Sequence, residues 1–325
     1  MDLTKVRNLL RINRGSVTLL VTFAVVVLVG ASSLVLDMGH VFLMRHRLCN
    51  ALDAAALAAA QELPDGYGGA PEVAEAYFNS NGVQSAMLEE VEISGDRRTV
   101  TAGGYVNVNY FLAGVLGINS TTVNGTAAAR ISPLASARGV VPVGIEEPPE
   151  GESLQFGVEY NLKMSAGNSF DDYLGSGNFG CLDFQGAGDN PGGGSNEWRD
   201  DFRYGHNSVI KVGDVVETIS GNRSGPAQQG VNHRVNQCDH ACTATDYDPS
   251  CPRVVVVPVY EKHEIHGNKV ISVKIVGFAA FLLTDYTGSG NQSYIKGRFL
   301  EQVVEGEGDS ENVEDFGCYA VKLIV

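Results

Sequence analysis

Residues 16–63 read SVTLLVTFAVVVLVGASSLVLDMGHVFLMRHRLCNALDAAALAAAQEL, and this stretch decides the fold of the chain. Its first part, Val17–Leu36, contains twenty residues and no charge. At about 1.5 Å of rise per residue, a helix of this length covers roughly 30 Å, the thickness of a bilayer's hydrocarbon core. The sequence therefore predicts a membrane-spanning helix.

The helical pattern continues beyond this apolar run. Apolar residues recur three and four positions apart at Val41, Met44, Leu48, Leu52, Ala55 and Ala59. No proline interrupts the pattern before Pro64. We therefore expect one continuous helix, transmembrane and then amphipathic, over residues 16–63 and on the order of 70 Å long. Its first half suits lipid, and its second half suits a groove in protein.

The same stretch resembles the N-terminal segment of TadE/TadG-like Flp pilus-assembly proteins from tight-adherence systems. The resemblance rests on Arg14-Gly15, on Leu36-Asp37 where the apolar run ends, and on DAAALA at residues 53–58. It covers about the first fifth of the chain. It implies a structural component of a pilus that takes part in cell adhesion, with other pilin-like or Tad assembly proteins as partners and no catalytic step.

Charge is distributed unevenly along the chain. The formal net charge is −15. Residues 1–62 carry a small positive excess, so the acidic excess lies entirely in the remainder. An exterior part this acidic argues against binding to nucleic acid and against docking onto anionic lipid.

The basic residues before the apolar run predict its orientation. Lys5, Arg7, Arg11 and Arg14 keep residues 1–15 in the cytoplasm as a basic segment, by the positive-inside rule. Everything after Asp37 is then extracytoplasmic, in a single-pass cell-membrane protein. Two other outcomes remain open. The small residues at 30–33 fit a cleavable signal peptide. Prepilin-type processing can follow Gly15, although the fifth mature residue would be Leu20, where a prepilin usually has Glu.

Residues 64–132 predict a small α/β, pilin-like module. Pro71 fits the start of a helix. A first strand at residues 91–94 turns at 95–98 and returns through 99–100, with period two kept at 105–109; a third strand is expected at 123–131 and a short helical turn at 111–116. A sheet this small needs a cover. We expect Leu52, Ala55 and Ala59 to face it, because small side chains allow close approach.

Residues 133–138 predict a linker, and residues 139–325 an extracytoplasmic β domain. Residues 154–164 alternate between apolar and polar side chains, as a half-buried strand does. Further strands are expected at residues 209–219, 254–260, 270–283, 294–304 and 319–325. With glycine-rich turns and almost no helical periodicity, this domain is expected to be an all-β closed barrel or sandwich. The whole chain is then α+β and mainly β.

The densest group of reactive side chains is Cys238, His240, Cys242 and Cys251. Thiolates and an imidazole can hold zinc tetrahedrally, although C-x-H-x-C is not the usual C-x-x-C spacing. In an exported domain, disulfides are the default for exposed cysteines. A disulfide, a zinc site and free thiols therefore all remain open here. Cys181 and Cys318 are candidates for a second disulfide, though pairing cannot be deduced from one sequence.

Other motifs carry little chemistry. Asp285, Thr287 and Ser289 resemble a metal-ion adhesion motif, but too little chain follows them for the fold that this motif opens. The acidic residues Asp171, Asp172, Asp183 and Asp189 can bind calcium weakly or lie in solvated loops. No G-x-S-x-G is present. The sequence predicts no enzyme, no small-molecule substrate and no cofactor other than the possible zinc.

Two acidic residues of the long helix have a possible role in assembly. Asp37 ends the apolar run, and Asp53 lies on the amphipathic half. Either Asp37 lies at the lipid headgroups and Asp53 on the solvent side of the helix, or they fix the register between packed helices by pairing with Arg45 or Arg47 of a neighbour. With Leu48, Leu52, Ala55 and Ala59 they form the predicted helix-packing set.

These observations favour a membrane-anchored structural or assembly component, minor pilin-like, of a Tad/Flp-type pilus. The alternative is a membrane-tethered extracytoplasmic binding or adhesion domain with no role in a pilus.

Overall fold

A computed structural model describes residues 3–64, 68–81, 85–163, 178–185, 194–221, 223–267, 269–290 and 292–324. The helices within these residues are α1 Leu3–Gln61, α2 Ala70–Asn81, α3 Ser195–Tyr204 and α4 Ser224–Asn236, with a short 3₁₀ turn at Ala113–Leu116. The strands are β1 Ala86–Ile93, β2 Thr99–Asn109, β3 Ser120–Ala137, β4 Ile145–Glu146, β5 Glu159–Lys163, β6 Asn178–Asp183, β7 Ile210–Lys211, β8 Val215–Ser220, β9 Val254–His266, β10 Lys269–Ser289, β11 Gln292–Leu300, β12 Gln302–Val303, β13 Gly306–Gly308 and β14 Cys318–Ile324. The predicted α+β, mainly β class is confirmed.

The long helix α1 is present and extends further than predicted. It has 59 residues and begins at Leu3, within the segment expected to be only a basic tail. The leucines, lysine and arginines there are good helix formers, so the helix that the apolar run imposes can continue back through them. At its other end, turn residues follow Gln61 and lead to Pro64, as expected from proline's incompatibility with a helix interior.

The first sheet has the strand order β1-β2-β3-β14-β12, and β7 and β13 also pair with β3. Strands β1, β2 and β3 form an antiparallel meander, in the module for which three strands were predicted. The C-terminal strand β14 joins this sheet by pairing Ile324 with Ala128 and Tyr319 with Pro133. The two ends of the chain therefore share one sheet.

The second sheet has the order β4-β9-β10-β11-β5, with β8 added to β10 and β6 to β8. Its centre is the pair of long antiparallel strands β9 and β10. Alternate residues of β10 face opposite sides: Phe278 and Ala280 belong to one hydrophobic cluster, and Ala279 and Phe281 belong to another. This alternation is the period-two pattern of a sheet that is covered on both faces.

Four layers follow from the three hydrophobic clusters. The outermost layer is α1, with α2 packed on it, and its cluster covers one face of the first sheet. A second cluster fills the space between the two sheets, with residues from β3 and β14 on one side and from β9 and β10 on the other. The third cluster lies between the second sheet and the helices α3 and α4. The arrangement is a sandwich with helices on both outer faces. The predicted barrel or sandwich comprised residues 139–325 alone, whereas the first sheet here also contains β1, β2 and β3.

Three local predictions are wrong. The stretch 133–138 is not a linker, because β3 runs through it to Ala137 and pairs there with β7 and β13. The expected strand at 154–164 is shorter, since β5 begins only at Glu159 after Gly157, whose φ of 75° interrupts extended backbone; Met164 lies outside the described residues. The third is the all-β character of residues 139–325.

The helices α3 and α4 were not predicted in that region. Helix α4 contains Gly225, Pro226 and Gly230, which are poor helix formers. Tertiary packing compensates for this weak propensity, because both helices bury apolar side chains against the second sheet; these are Trp198, Phe202, Ala227 and Val231. The Trp198 indole also donates a hydrogen bond to the Pro142 carbonyl, 3.2 Å away.

Candidate functional site

The first candidate surface is the apolar half of α1, residues 17–36, which we call its first half. Within the described residues, α1 is the one helix that is long and apolar enough to cross a membrane by length and composition. None of its most apolar window is buried inside the protein. Large side chains lie open all around it, with Leu19, Phe23 and Leu28 exposed by 76%, 70% and 66%. A helix that is apolar on every side suits lipid or a bundle of other helices.

Asp37 marks the end of this open half. Only 3% of the residue is exposed, although it directly follows the exposed apolar run. One carboxylate oxygen accepts a hydrogen bond from the Phe111 N–H at 2.7 Å, and the other accepts one from the Ala113 N–H at 2.7 Å. The Leu112 N–H lies 3.2 Å from both oxygens. The carboxylate thereby satisfies three backbone donors at the start of the 3₁₀ turn.

This contact substitutes for a missing local cap. Leu112 precedes the 3₁₀ turn and, being leucine, makes no capping hydrogen bond with its side chain. Asp37 supplies the acceptor from a different element, and the His40 ring packs beside Phe111 with 4.7 Å between ring centroids. Asp37 is therefore bound to this loop of its own chain, and its pairing with an arginine of a neighbouring helix stays a prediction.

The second half of α1, from Asp37 to Gln61, packs closely against the first sheet. Leu48, Leu52, Ala55 and Ala59 are fully buried in the cluster that joins α1 to the first sheet. Two glycines of the sheet face this helix at Gly104 and Gly125. A Cβ at Gly125 would lie 3.1 Å from Leu52 Cδ1 and 3.3 Å from Leu48 Cδ2, so no larger residue fits without displacement. Small residues on both elements allow helix and sheet to approach closely.

Asp53 lies at the edge of this packed face and is half-buried. Arg45 and Arg47 are exposed. Among the ion pairs of the described residues, none involves Asp53, Arg45 or Arg47. A pairing of Asp53 with an arginine from another helix remains a prediction, and within this chain the acid is available for it.

The second candidate site is the group of cysteines after α4. The sulfur of Cys238 lies 3.3 Å from that of Cys251 and 3.8 Å from that of Cys242. The ligand atoms of Cys238, His240 and Cys242 all lie within 4.8 Å of one another. Cys242 and Cys251 are buried, and His240 is exposed. The chain therefore contains a Cys-His-Cys group that could bind a metal, with a third thiol beside it.

The thiols of this group differ in acidity. Burial alone would raise the pKa of Cys238, but hydrogen bonds with Cys251, the His240 backbone and Arg253 outweigh it and lower the pKa to about 7. Burial raises the pKa of the Cys251 thiol to about 12. Cys238 is therefore the sulfur of this group that most readily becomes the thiolate needed for metal binding or disulfide exchange.

The predicted Cys181–Cys318 disulfide is not supported by their positions. Cys181 belongs to the cluster under α3 and α4, whereas Cys318 belongs to the cluster between the two sheets. The second sheet separates these clusters. Deep burial raises the pKa of Cys318, so this thiol stays protonated and unreactive.

The weaker candidates remain without a functional role. Asp285, Thr287 and Ser289 lie within the strand β10, so the resemblance to an adhesion motif does not open a metal loop. Asp183 accepts a hydrogen bond from the Gln185 N–H at 3.0 Å. The other acidic residues considered for calcium, Asp171, Asp172 and Asp189, lie outside the described residues.

The contact of Asp37 with residues 111–113 was not predicted: the sequence identifies Asp37 but not the loop that it binds. A signal was available: a predicted helical turn at 111–116 begins without a Ser, Thr, Asp or Asn cap, so its donors had to be satisfied from elsewhere. The acceptor comes from an element distant in sequence, so a local pattern does not identify it.

Comparison with known families matches residues 15–62 to the family described as Putative Flp pilus-assembly TadE/G-like. No curated protein and no solved structure matched the chain. The matched segment contains the exposed half of α1, Asp37 and most of the packed face that covers the first sheet. This match confirms the resemblance noted in the sequence. It covers residues 15–62 alone, and by its description it suggests involvement in Flp/Tad pilus assembly.

Proposed function

We propose that this chain is a membrane-anchored, minor pilin-like component of a Tad/Flp-type pilus, and that it acts by anchoring and helix packing. The observation that carries the proposal is the division of α1 within the matched segment. Its first half presents large apolar side chains to the outside on every face. Its second half is fixed to the first sheet. One rigid element thus connects an apolar environment to a folded domain.

The chemistry of this arrangement is positional. Each Å² of apolar surface removed from water contributes about 25 cal/mol of favourable free energy. The exposed apolar run therefore favours lipid or neighbouring helices over water. The contact of Asp37 with the loop at 111–113 fixes the point where the helix leaves the folded domain. By the positive-inside rule, the basic residues before Val17 support an orientation with that domain outside the cytoplasm.

Co-purification from gently solubilised membranes tests the proposal. The C-terminal strand β14 is paired within the first sheet, so an epitope is better inserted at the exposed turn Glu150-Gly151. We expect pilin-like and Tad assembly proteins to co-purify with the full chain. Membrane association without any pilus protein would overturn the pilus assignment and favour a tethered binding or adhesion domain.

A matched control separates anchoring from recognition. Replacing residues 17–36 with twenty leucines keeps the length and apolarity of the span but removes its own side-chain pattern. We expect this variant to stay in the membrane and to lose its pilus partners. Retention of those partners would show that they bind elsewhere on the chain.

Mass spectrometry of the mature N-terminus should find residues 17–36 still present, and cleavage near Ser32 would exclude the anchor.

A further inference from the structure

The segment between α4 and β9, residues 237–253, has no helix or strand of its own. Irregular segments longer than about 12–15 residues are uncommon in compact domains, and they usually have a function or a special means of fixation. This segment carries three cysteines and one histidine, and two of the cysteines are buried in the cluster between the sheets. Side chains suited to metal binding are therefore concentrated where the backbone lacks regular structure.

The distances between the sulfurs match shared coordination better than a covalent bond. A disulfide requires about 2.05 Å between its sulfurs. Two thiolates on one tetrahedral zinc ion, each with a bond of about 2.3 Å, lie about 3.8 Å apart. The separations here are 3.8 Å from Cys238 to Cys242 and 3.3 Å from Cys238 to Cys251.

The number of ligands also favours a metal. A disulfide uses two thiols and would leave a third one in contact with the bond. Three thiolates and one imidazole instead supply the donors of a Cys₃His site, one of the standard structural zinc sets. Cys238, His240 and Cys242 have their ligand atoms within 4.8 Å of one another, and Cys251 lies beside Cys238. The carboxylate of Asp239 lies 3.1 Å from Nδ1 of His240. Metal-binding histidines commonly have such an acidic partner, which fixes the ring and leaves Nε2 for the metal.

We propose that Cys238, His240, Cys242 and Cys251 form a tetrahedral site for a structural zinc ion. The ion joins the end of α4 to the start of β9 and fixes the loop between them. That loop also contacts the β11–β12 connection, where the Tyr247 hydroxyl lies 3.4 Å from the Glu301 carbonyl and the Gln302 amide lies 3.2 Å from the Pro249 carbonyl. The zinc thereby holds the loop against the connection that leads from β11 of the second sheet to β12 of the first.

The first test measures metal and thiols on the full chain. The protein is purified in detergent without a histidine tag, zinc is measured by mass spectrometry, and thiols are counted in denaturant with chelator, with and without prior reduction. We expect about one zinc per chain and the same thiol count in both samples. Absence of zinc together with two additional thiols after reduction would establish a disulfide and overturn the proposal.

Variants then identify the ligands. Cys251→Ser and His240→Ala should each weaken zinc retention against a competing chelator at least about tenfold, and Asp239→Asn about 10–100-fold. Cys49→Ser, on the distant helix α1, is the matched control and should retain zinc fully. Zinc content that is unchanged in the ligand variants would place the ion elsewhere and overturn the assignment.

A spectroscopic readout covers the case in which Cys251→Ser does not fold. Cobalt bound to the wild-type chain should show sulfur-to-metal charge-transfer absorption, and His240→Ala should shift its visible bands. The His240 side chain is 53% exposed, so its removal leaves the core intact. Cobalt binding without charge-transfer absorption would exclude thiolate ligands and with them the site.

Discussion

The two halves of α1 have opposite surroundings although they form one continuous helix. In the first half, Val25, Val26 and Leu28 are exposed by 51%, 64% and 66%. In the second half, Leu48, Leu52, Ala55 and Ala59 are fully buried. The first half is rich in large side chains and the second in alanine.

This difference shows what each environment requires of a helix. Lipid is fluid and adapts to side chains of any size, so large side chains in the first half simply add apolar area to bury. A sheet limits the distance between backbones, and here Gly104 and Gly125 leave room for Leu48 and Leu52 of the helix, while Ala55 and Ala59 add little bulk of their own. Asp37 lies where the exposed half of the helix ends and the packed half begins, and it is bound to backbone of the folded domain. Changes in each half should therefore affect different properties.

The largest effect is expected from charge in the open half. Each arginine at the centre of a membrane helix costs roughly 2.5–3.5 kcal/mol on an insertion scale, so Val25→Arg combined with Leu28→Arg should cost about 5–7 kcal/mol. The double variant should leave the membrane fraction in a flotation gradient, while Val25→Ile with Leu28→Ile should float like the wild type. If the arginine variant also floats fully, lipid is not the environment of this half.

A deletion in the packed half should affect stability instead. Leu52→Ala removes a fully buried side chain, and such changes typically cost about 2–5 kcal/mol because a cavity remains. The midpoint of denaturant unfolding in detergent should fall accordingly. Leu28→Ala removes the same atoms from an exposed site and is the matched control. Equal losses in the two variants would mean that the halves do not differ in packing.

The sequence was sufficient for the local features of this helix. The uncharged run predicted the open half, and the three-and-four spacing of Leu48, Leu52, Ala55 and Ala59 defined the face that packs on the sheet. The strands β1 to β3 and the 3₁₀ turn followed from alternation and turn residues. These features are all periodic or local, so neighbouring residues carry the information.

The remaining features depend on distant contacts. The pairing of β14 with β3 joins residues almost two hundred positions apart, which no local pattern can specify. The same pairing explains why Ser132-Pro133, a typical boundary signal, lies inside a strand. Helix α3 buries Trp198 and Phe202, and helix α4 buries Val231 and forms in spite of its weak local propensity. At the thiol group, spacing identified the residues, but only the fold shows that Cys251 lies beside Cys238.

A smaller effect is expected at the junction between the halves. Asp37→Ala leaves three backbone donors without their acceptor, and an unsatisfied buried group costs about 1–3 kcal/mol. Hydrogen exchange of the amides of Phe111, Leu112 and Ala113 should accelerate, with little change in amides of β2 and β3. Asp37→Asn keeps one oxygen and should lose less, because Asn caps helices about as well as Asp. Unchanged exchange in the alanine variant would show that the loop does not depend on this carboxylate.

The smallest effect on the isolated chain is expected at Asp53, and it tests whether the packed half also contacts a neighbour. Asp53 is half-buried and has no ion pair within the described residues, so Asp53→Asn should change stability by less than about 0.5 kcal/mol. If Asp53 pairs with an arginine of an adjacent helix, Asp53→Arg should reduce recovery of the pilus partners, and adding Arg45→Asp or Arg47→Asp should restore it. Exposed pairs contribute only about 0.2–1 kcal/mol each, so the loss is partial and the restoration is the decisive observation. Reduced recovery that neither arginine reversal restores would assign the loss to desolvation of a charge and not to helix register, and the second half of α1 would then serve the fold alone.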